Sequence, residues 1–219
     1  MAKIIIFGTS DLSELAHFYF NHDSDHEVVA FSVNSAFIKE KQFKDLPIIP
    51  FEDIENVYSP NQFQFFIPLT GRNMNKNREK IYFEAKGKGY KLVSYISSKA
   101  TVWPEAEIGE NCFIFEDNTI QPFTKIGNNV ILWSGNHIGH HGEIKDHVFF
   151  TSHVVLSGHC VVDSYCYFGV NSTIRDGLHI AEGTIIAMGA NLTKNTDPLG
   201  VYIGNPAKKG PKPSLEVIN

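Results

Sequence analysis

Every sixth residue from Val102 to Leu192 is apolar: Val102, Ile108, Ile114, Ile120, Ile126, Leu132, Ile138, Ile144, Phe150, Leu156, Val162, Phe168, Ile174, Ile180, Ile186 and Leu192. With 42% of the chain apolar, sixteen hits in one unbroken frame arise by chance on the order of once in a million, so the period marks an internal repeat. Neither the helical period of about 3.6 nor the strand period of two produces it. A hexapeptide repeat fits a β-helix with three flat sides, one hexapeptide per side. Residues eighteen apart then stack, and sixteen anchors make slightly more than five coils. At ~4.8 Å between stacked strands, the solenoid is roughly 25 Å tall.

The formal charge of −5 and the lack of a long basic run argue against nucleic acid as a partner. The cations of the tail, Lys208, Lys209 and Lys212, suit a small phosphorylated ligand better. The run Ile4-Ile5-Ile6-Phe7 is too short for a signal-peptide core or a membrane span. A soluble, cytoplasmic protein without membrane attachment is expected. Cys112, Cys160 and Cys166 all fall four residues after an anchor, a slot otherwise filled mostly by small residues. They read as small buried side chains, not as a disulfide framework or a catalytic thiol.

Residues 1–97 follow another pattern. Lys3–Phe7 and Val28–Val33 read as strands, Phe63–Leu69 as a third and Leu92–Ile96 as a fourth. Leu46-Pro47-Ile48-Ile49-Pro50 reads as a loop. Leu12, Leu15, Ala16, Tyr19 and Phe20 recur at helical spacing, with Ser10 or Asp11 as the cap and Ser13 or Glu14 three residues on. A second helix opens at Asn73 or Asn75 and ends at Gly87 or Gly89. Alternating strands and helices predict βαβ units on a parallel sheet, a small half-Rossmann α/β domain. Its first turn, Gly8-Thr9-Ser10, precedes a helix N-terminus, where backbone amides favour a phosphate. Only one glycine of a dinucleotide fingerprint is present, so a plain tight turn is an equal reading.

The histidines sort by position. His17, His22 and His26 lie near the first helix and are expected at the surface. His141, His147, His153 and His159 share one slot, three residues after an anchor, at successive corners. His141 and His159 therefore stack in adjacent coils.

Ile108-Gly109-Glu110-Asn111-Cys112-Phe113 and Ile126-Gly127-Asn128-Asn129-Val130-Ile131 resemble the repeats of the left-handed β-helix acyltransferases. The segment Gly200-Val201-Tyr202-Ile203-Gly204-Asn205-Pro206-Ala207-Lys208 is similar to that superfamily's C-terminal signature. With the α/β domain in front, essentially the whole chain resembles the sialic acid O-acetyltransferase-like group, which includes N-acetyltransferases of nucleotide-linked aminosugars. The resemblance implies a half-Rossmann nucleotide-sugar domain over 1–97 and a left-handed parallel β-helix with an acetyl-CoA site over 98–219. It also implies a homotrimer with acetyl-CoA in the groove between neighbours, and a role in surface-glycan biosynthesis.

By the same resemblance the general base falls on His140, with His141 as the second choice. An amine or hydroxyl attacking a thioester must lose a proton, and imidazole changes charge near neutral pH. Relatives often place an acid after the base; here it is His141, so Glu143 or Asp146, of the same subunit or of its neighbour in the implied trimer, is expected to orient the ring. For the cofactor the implied residues are Ser157, Gly158, Gly169, Val170, Ala187, Met188, Gly189 and Lys194, then Gly204, Asn205, Pro206, Lys208 and Lys209 of the tail. For the substrate they are Gly8, Thr9, Ser10 and Asn34, the last standing where relatives often carry an acid. No metal cofactor is implied. Sugar O-acetylation with the same base and cofactor is the open alternative. A γ-class carbonic anhydrase would need a His-x₄-His pair that the repeats lack, and a non-catalytic scaffold would not need these features together.

Overall fold

The computed structural model describes residues 2–217 and divides into two compact units. One comprises residues up to Thr70 together with Arg78–Tyr95; the other comprises Gly71–Asn77 and the chain from Ile96 onward.

The first unit is built on β1 (Lys3–Phe7), β2 (Glu27–Val33), β3 (Gln42–Phe43), β4 (Leu46–Pro50), β5 (Phe63–Phe66) and β6 (Lys91–Leu92), in the order β3-β4-β2-β1-β5-β6. All neighbours pair in parallel except β3 with β4. The helices are α1 (Asp11–His22), the single turn α2 (Ile54–Val57) and α3 (Lys76–Gly87). Segment 46–50, expected as a loop, is a strand parallel to β2, with Ile48 opposite Phe31 and Ile49 opposite Ser32. Its two prolines concealed it, because proline is usually kept off a sheet interior. Only the two-residue β3 covers its outer side, with Gln42 opposite Pro47. The core is aromatic: Phe7 packs edge-on against Phe51 at 5.1 Å, and Phe65 against Tyr90 at 4.9 Å. Burial pushes the Tyr90 phenol up to about 12.

Two local expectations change. Ser10 sits at the N-cap of α1, yet no side-chain capping bond forms; Ser13 Oγ instead donates to Phe7 O at 3.2 Å, and Glu14 pairs with Lys44 at 2.6 Å. His17 and His26 are half-buried. Burial lowers the pKa of both, and His26 Nδ1 accepts the Ala2 N–H at 3.2 Å.

In the second unit the hexapeptides form three parallel sheets, one per side. Strands 101–102, 119–120, 137–138, 155–156, 173–174 and 191–192 make the side that carries His137 and Ile138. Register confirms the eighteen-residue coil, with Ile120 opposite Ile138 and Ile138 opposite Leu156. All anchors from Ile114 onward are at most 3% exposed. Val102 and Ile108 are only partly buried, because each begins its sheet and lacks a preceding coil. The slot four residues after each anchor also points inward, where several of its polar members donate to a carbonyl of the next coil. Thr124 Oγ1 reaches Gly139 O at 2.9 Å, and the thiols of Cys112, Cys160 and Cys166 reach Gly127, Arg175 and Ala181 carbonyls at 3.2 Å each.

Corners are left-handed. The third residue after each anchor has positive φ, from Glu105 at 67° to Gly189 at 68°, including His141 at 54° and His159 at 58°. Asn, Asp and His are the non-glycine residues that best tolerate this region, which accounts for the polar corner composition. Segment Gly71–Asn77, expected inside the α/β domain, groups with the solenoid. Its Met74 packs with Ile185 and Val201, and Asn75 Nδ2 donates to the Tyr165 and Cys166 carbonyls at 3.4 and 3.5 Å.

Phe150 is fully buried and stacks on Phe168 at 4.1 Å. Phe150→Ala is expected to cost about 3–5 kcal/mol. Val155→Ala, at a strand position 37% exposed, should cost under about 1 kcal/mol. Urea unfolding of both variants checks this; equal losses would show that the inward ladder is not the main source of stability.

Candidate active site

His140 lies two residues past the anchor Ile138, at the corner that follows strand 137–138. Its backbone N–H donates to Gln121 Oε1 at 3.0 Å, and its carbonyl accepts the His159 N–H at 2.9 Å. These bonds fix the corner against the coils on both sides. The ring is exposed and lies over Gly158, where a Cβ would come within 2.8 Å of His140 Cε1 and 3.0 Å of Nε2. Glycine at 158 thus makes room for the imidazole.

The ring's polar partner is His141, with the two Nδ1 atoms 3.1 Å apart. Glu143 is exposed, and Asp146 Oδ1 is engaged by the Asn128 backbone N–H at 2.6 Å. Within the chain, His141 is the residue whose side chain engages the His140 ring. One Nδ1 of the pair must donate and the other accept. When His140 is the donor, its remaining lone pair is on Nε2. His141 stacks on His159 at 5.2 Å and 17°, as slot spacing requires, and His159 meets His140 edge-on at 5.0 Å. One ring nitrogen from each of His140, His141 and His159 falls within 4.8 Å of the others.

The residues expected to hold a cofactor flank one solenoid side. Ser157, Gly158 and Lys194 lie at the corner after it, Gly158 in the coil next to His140 and in its column. Gly169, Val170, Ala187, Met188 and Gly189 lie at the corner before it. Val170 and Met188 are exposed, Met188 by 79%. The tail returns to the end of the same side: Asn191 N–H donates to Gly204 O at 3.2 Å, Ala207 N–H to Asn191 O at 2.8 Å, and Asn191 Nδ2 to Asn205 Oδ1 at 2.8 Å. Pro206 follows Asn205 through a cis bond. Lys208 and Lys194 are exposed, whereas Lys209 is bound to Asp197 at 2.7 Å and is less suited to a phosphate.

In the α/β unit, Gly8 has φ +97° and a Cβ there would sit 2.8 Å from Ser13 Oγ, so only glycine fits the turn. Thr9 lines a pocket of about 430 Å³ with Val33, Phe37, Lys39, Gln42 and Phe43. Gly8, Ser10 and Asn34 are not part of its lining. Asn34 instead donates to Glu52 Oε1 at 3.3 Å, and the Ser35 N–H reaches Glu52 Oε2 at 3.0 Å. An acid therefore does stand at the end of β2, contributed from residue 52. Hydrogen bonds from its own backbone N–H, Ser35 and Asn34 hold its carboxyl below the usual carboxylate range. Sequence order gave no signal for it, because the approach of residue 52 depends on β4 joining the sheet.

The solenoid is of the kind found in bacterial hexapeptide transferases: residues 105–140 match the family described as bacterial transferase hexapeptide (six repeats). Particular solved structures share the fold of nearly the whole chain. A His-to-Asn variant of perosamine N-acetyltransferase from Caulobacter crescentus, in complex with CoA and GDP-perosamine, aligns with TM-score 0.87 and 18% identity over 97% of this chain and 98% of that one. The acetyltransferase domain of PglB from Neisseria gonorrhoeae aligns with TM-score 0.82 and 20% identity over 95% and 100%. WeeI from Acinetobacter baumannii aligns with TM-score 0.80 and 21% identity over 95% and 100%. At these identities the likeness is one of fold. Among the described residues, no helix is long and apolar enough to cross a membrane.

All three cysteines are fully buried, and burial pushes the Cys166 thiol up to about 12. A thiol reagent should therefore leave the native protein unlabelled and titrate three thiols after denaturation. Fast labelling of the native chain would show that the solenoid is open where it is drawn closed.

Proposed function

We propose that the chain is an acetyl-CoA-dependent N-acetyltransferase acting on a nucleotide-linked amino (deoxy)sugar in surface-glycan biosynthesis. The observation that carries this reading is the His140 corner. An exposed imidazole, its Nδ1 engaged by His141, stands at the edge of the solenoid side that the Gly204–Ala207 turn closes. The likeness to perosamine N-acetyltransferase, solved with CoA and GDP-perosamine, and to the PglB domain, solved with acetyl coenzyme A, supports it. The perosamine enzyme acetylates nitrogen by name, which favours an amine acceptor over the hydroxyl of an O-acetyltransferase. The enzyme is a soluble cytoplasmic homotrimer of left-handed β-helices, each preceded by a half-Rossmann unit.

In the reaction, the acceptor amine attacks the thioester carbonyl. The C–N bond forms, the C–S bond breaks, and CoA leaves as the thiolate. His140 Nε2 accepts the proton that the amine loses, while its Nδ1–H donates to His141 and stabilises the imidazolium. The proton then passes to the thiolate or to solvent, restoring the base. Ser157, Gly158, Gly169, Val170, Ala187, Met188, Gly189 and the Gly204-Asn205-Pro206 turn contact the pantetheine chain, and Lys194 and Lys208 meet phosphates. The Gly8-Thr9-Ser10 turn, Asn34 and the pocket beside Thr9 take the nucleotide, with Glu52 accepting from its ribose or base.

The direct test is acetyl transfer to a panel of UDP-, dTDP- and GDP-linked aminosugars. Turnover with at least one is expected; CoA binding without transfer to any would reject the reading. With the active sugar, His140→Ala should lower kcat about 10²–10⁴-fold and leave CoA affinity unchanged, because the base acts in the transition state. A His140→Ala enzyme within a few-fold of wild type moves the base elsewhere.

Light scattering should give a mass three times the 24.6 kDa of the chain. A monomer at working concentration would remove the groove between neighbours from the model.

A further inference from the structure

The acetyl-transfer chemistry uses one imidazole of the corner and a second to orient it. The third, His159, has no part in that chemistry, and the three together have a property that none has alone. His140, His141 and His159 each offer a ring nitrogen within 4.8 Å of the others, and His140 and His141 Nδ1 are already 3.1 Å apart. A tetrahedral Zn²⁺ with Zn–N of about 2.0–2.1 Å holds its nitrogens roughly 3.3 Å apart. The first pair meets that spacing, and bringing a His159 nitrogen to it from within 4.8 Å requires side-chain rotation. All three rings are exposed, so such rotation disturbs no core packing.

The backbone beneath them is fixed. His141 and His159 have φ of 54° and 58° at stacked corners, and the His159 N–H bond to His140 O at 2.9 Å ties the two coils together. Phe123 packs against His141 at 4.6 Å on the side away from His159, which leaves the triangle of nitrogens facing His140. Imidazole donors without carboxylates or thiolates select borderline divalent ions, not Mg²⁺ or Ca²⁺.

We propose that His140, His141 and His159 form a three-imidazole site for a borderline divalent transition metal, Zn²⁺ above all, and that its occupation silences acetyl transfer. The second half rests on His140 being the base. A neutral imidazole has one free lone pair. A metal on Nε2 uses it directly. A metal on Nδ1 forces the proton onto Nε2. In either case His140 accepts no proton from the acceptor amine. The metal here is an inhibitor of the base, not a cofactor of the reaction.

The experiment has a binding arm and a turnover arm. Chelator-treated full-length protein is titrated with ZnCl₂ by calorimetry, with His141→Ala, His159→Ala and, as a control at an unrelated corner, His153→Ala. One Zn²⁺ per chain is expected, at least tenfold weaker in His141→Ala and His159→Ala and unchanged in His153→Ala. No binding, or binding that survives both substitutions, overturns the site. In the turnover arm, Zn²⁺ should inhibit wild type reversibly, with EDTA restoring the rate, and His159→Ala should require at least tenfold more Zn²⁺ for the same inhibition. That comparison also removes any direct effect of Zn²⁺ on CoA. Tight binding at the three histidines without inhibition overturns the silencing. Should no aminosugar be acetylated, the acetyltransferase reading falls, and calorimetry alone still decides the metal site.

Discussion

The hydrogen bonds between successive coils are the constraint on which the rest of the solenoid depends. Gly139 N–H donates to Leu156 O at 2.8 Å and Val155 N–H to Ser172 O at 3.0 Å, and the same offset recurs from Thr101 to Arg175. Because the bonds are backbone to backbone, they fix the vertical alignment of every slot whatever its side chain. Apolar anchors therefore stack into a closed core, as Phe150 does on Phe168, and corner residues stack into columns, as His141 does on His159. A buried polar column follows the same rule: Asn111 donates to Asn129 Oδ1 at 2.7 Å, and Asn129 meets His147 Nδ1 at 2.8 Å. Each of these polar groups would be costly without its partner, so the register that the apolar ladder favours is reinforced by pairs that only that register allows.

How much could be read from sequence follows from this. Where a side chain's surroundings are set by the repeat, position in the hexapeptide was enough. It placed the anchors inside, the three cysteines beside them, and His141 over His159. Two side chains at the candidate site have surroundings set by other things. His140 sits off the positive-φ corner column, so its ring orientation depends on the space left by Gly158 and on the adjacent His141. Glu52 reaches the end of β2 only because a proline-bearing segment, expected to be a loop, adds to the sheet. Tertiary pairing overrode local preference at 46–50, and the local rule had no means of anticipating that.

The corners show how this fold separates stability from chemistry. Left-handed backbone costs an L-residue roughly 1–2 kcal/mol, and the chain accepts it at most turns with Asn, Asp, His or an aromatic residue where glycine would be easier. At most corners that pattern places a side chain outside the apolar ladder. His140, His141 and His159 gather at one such edge while the neighbouring anchors, Ile138 and Leu156, remain within 1% of full burial. Reactive groups can therefore change there without opening a cavity.

The stacked column beginning at His140 continues through Gly158 and Asp176 to Lys194, one residue per coil. At ~4.8 Å per coil, His140 and Lys194 are separated by roughly 14 Å along the solenoid axis. That separation is counted in whole turns of chain and is set by the strands just before the column, which pair in register from His137 to Asn191. The solenoid is in this sense a ruler graduated in coils. A ligand that touches both ends must match an integer number of divisions. Inserting one eighteen-residue coil between them would leave each end chemically intact and make the two unable to serve the same molecule.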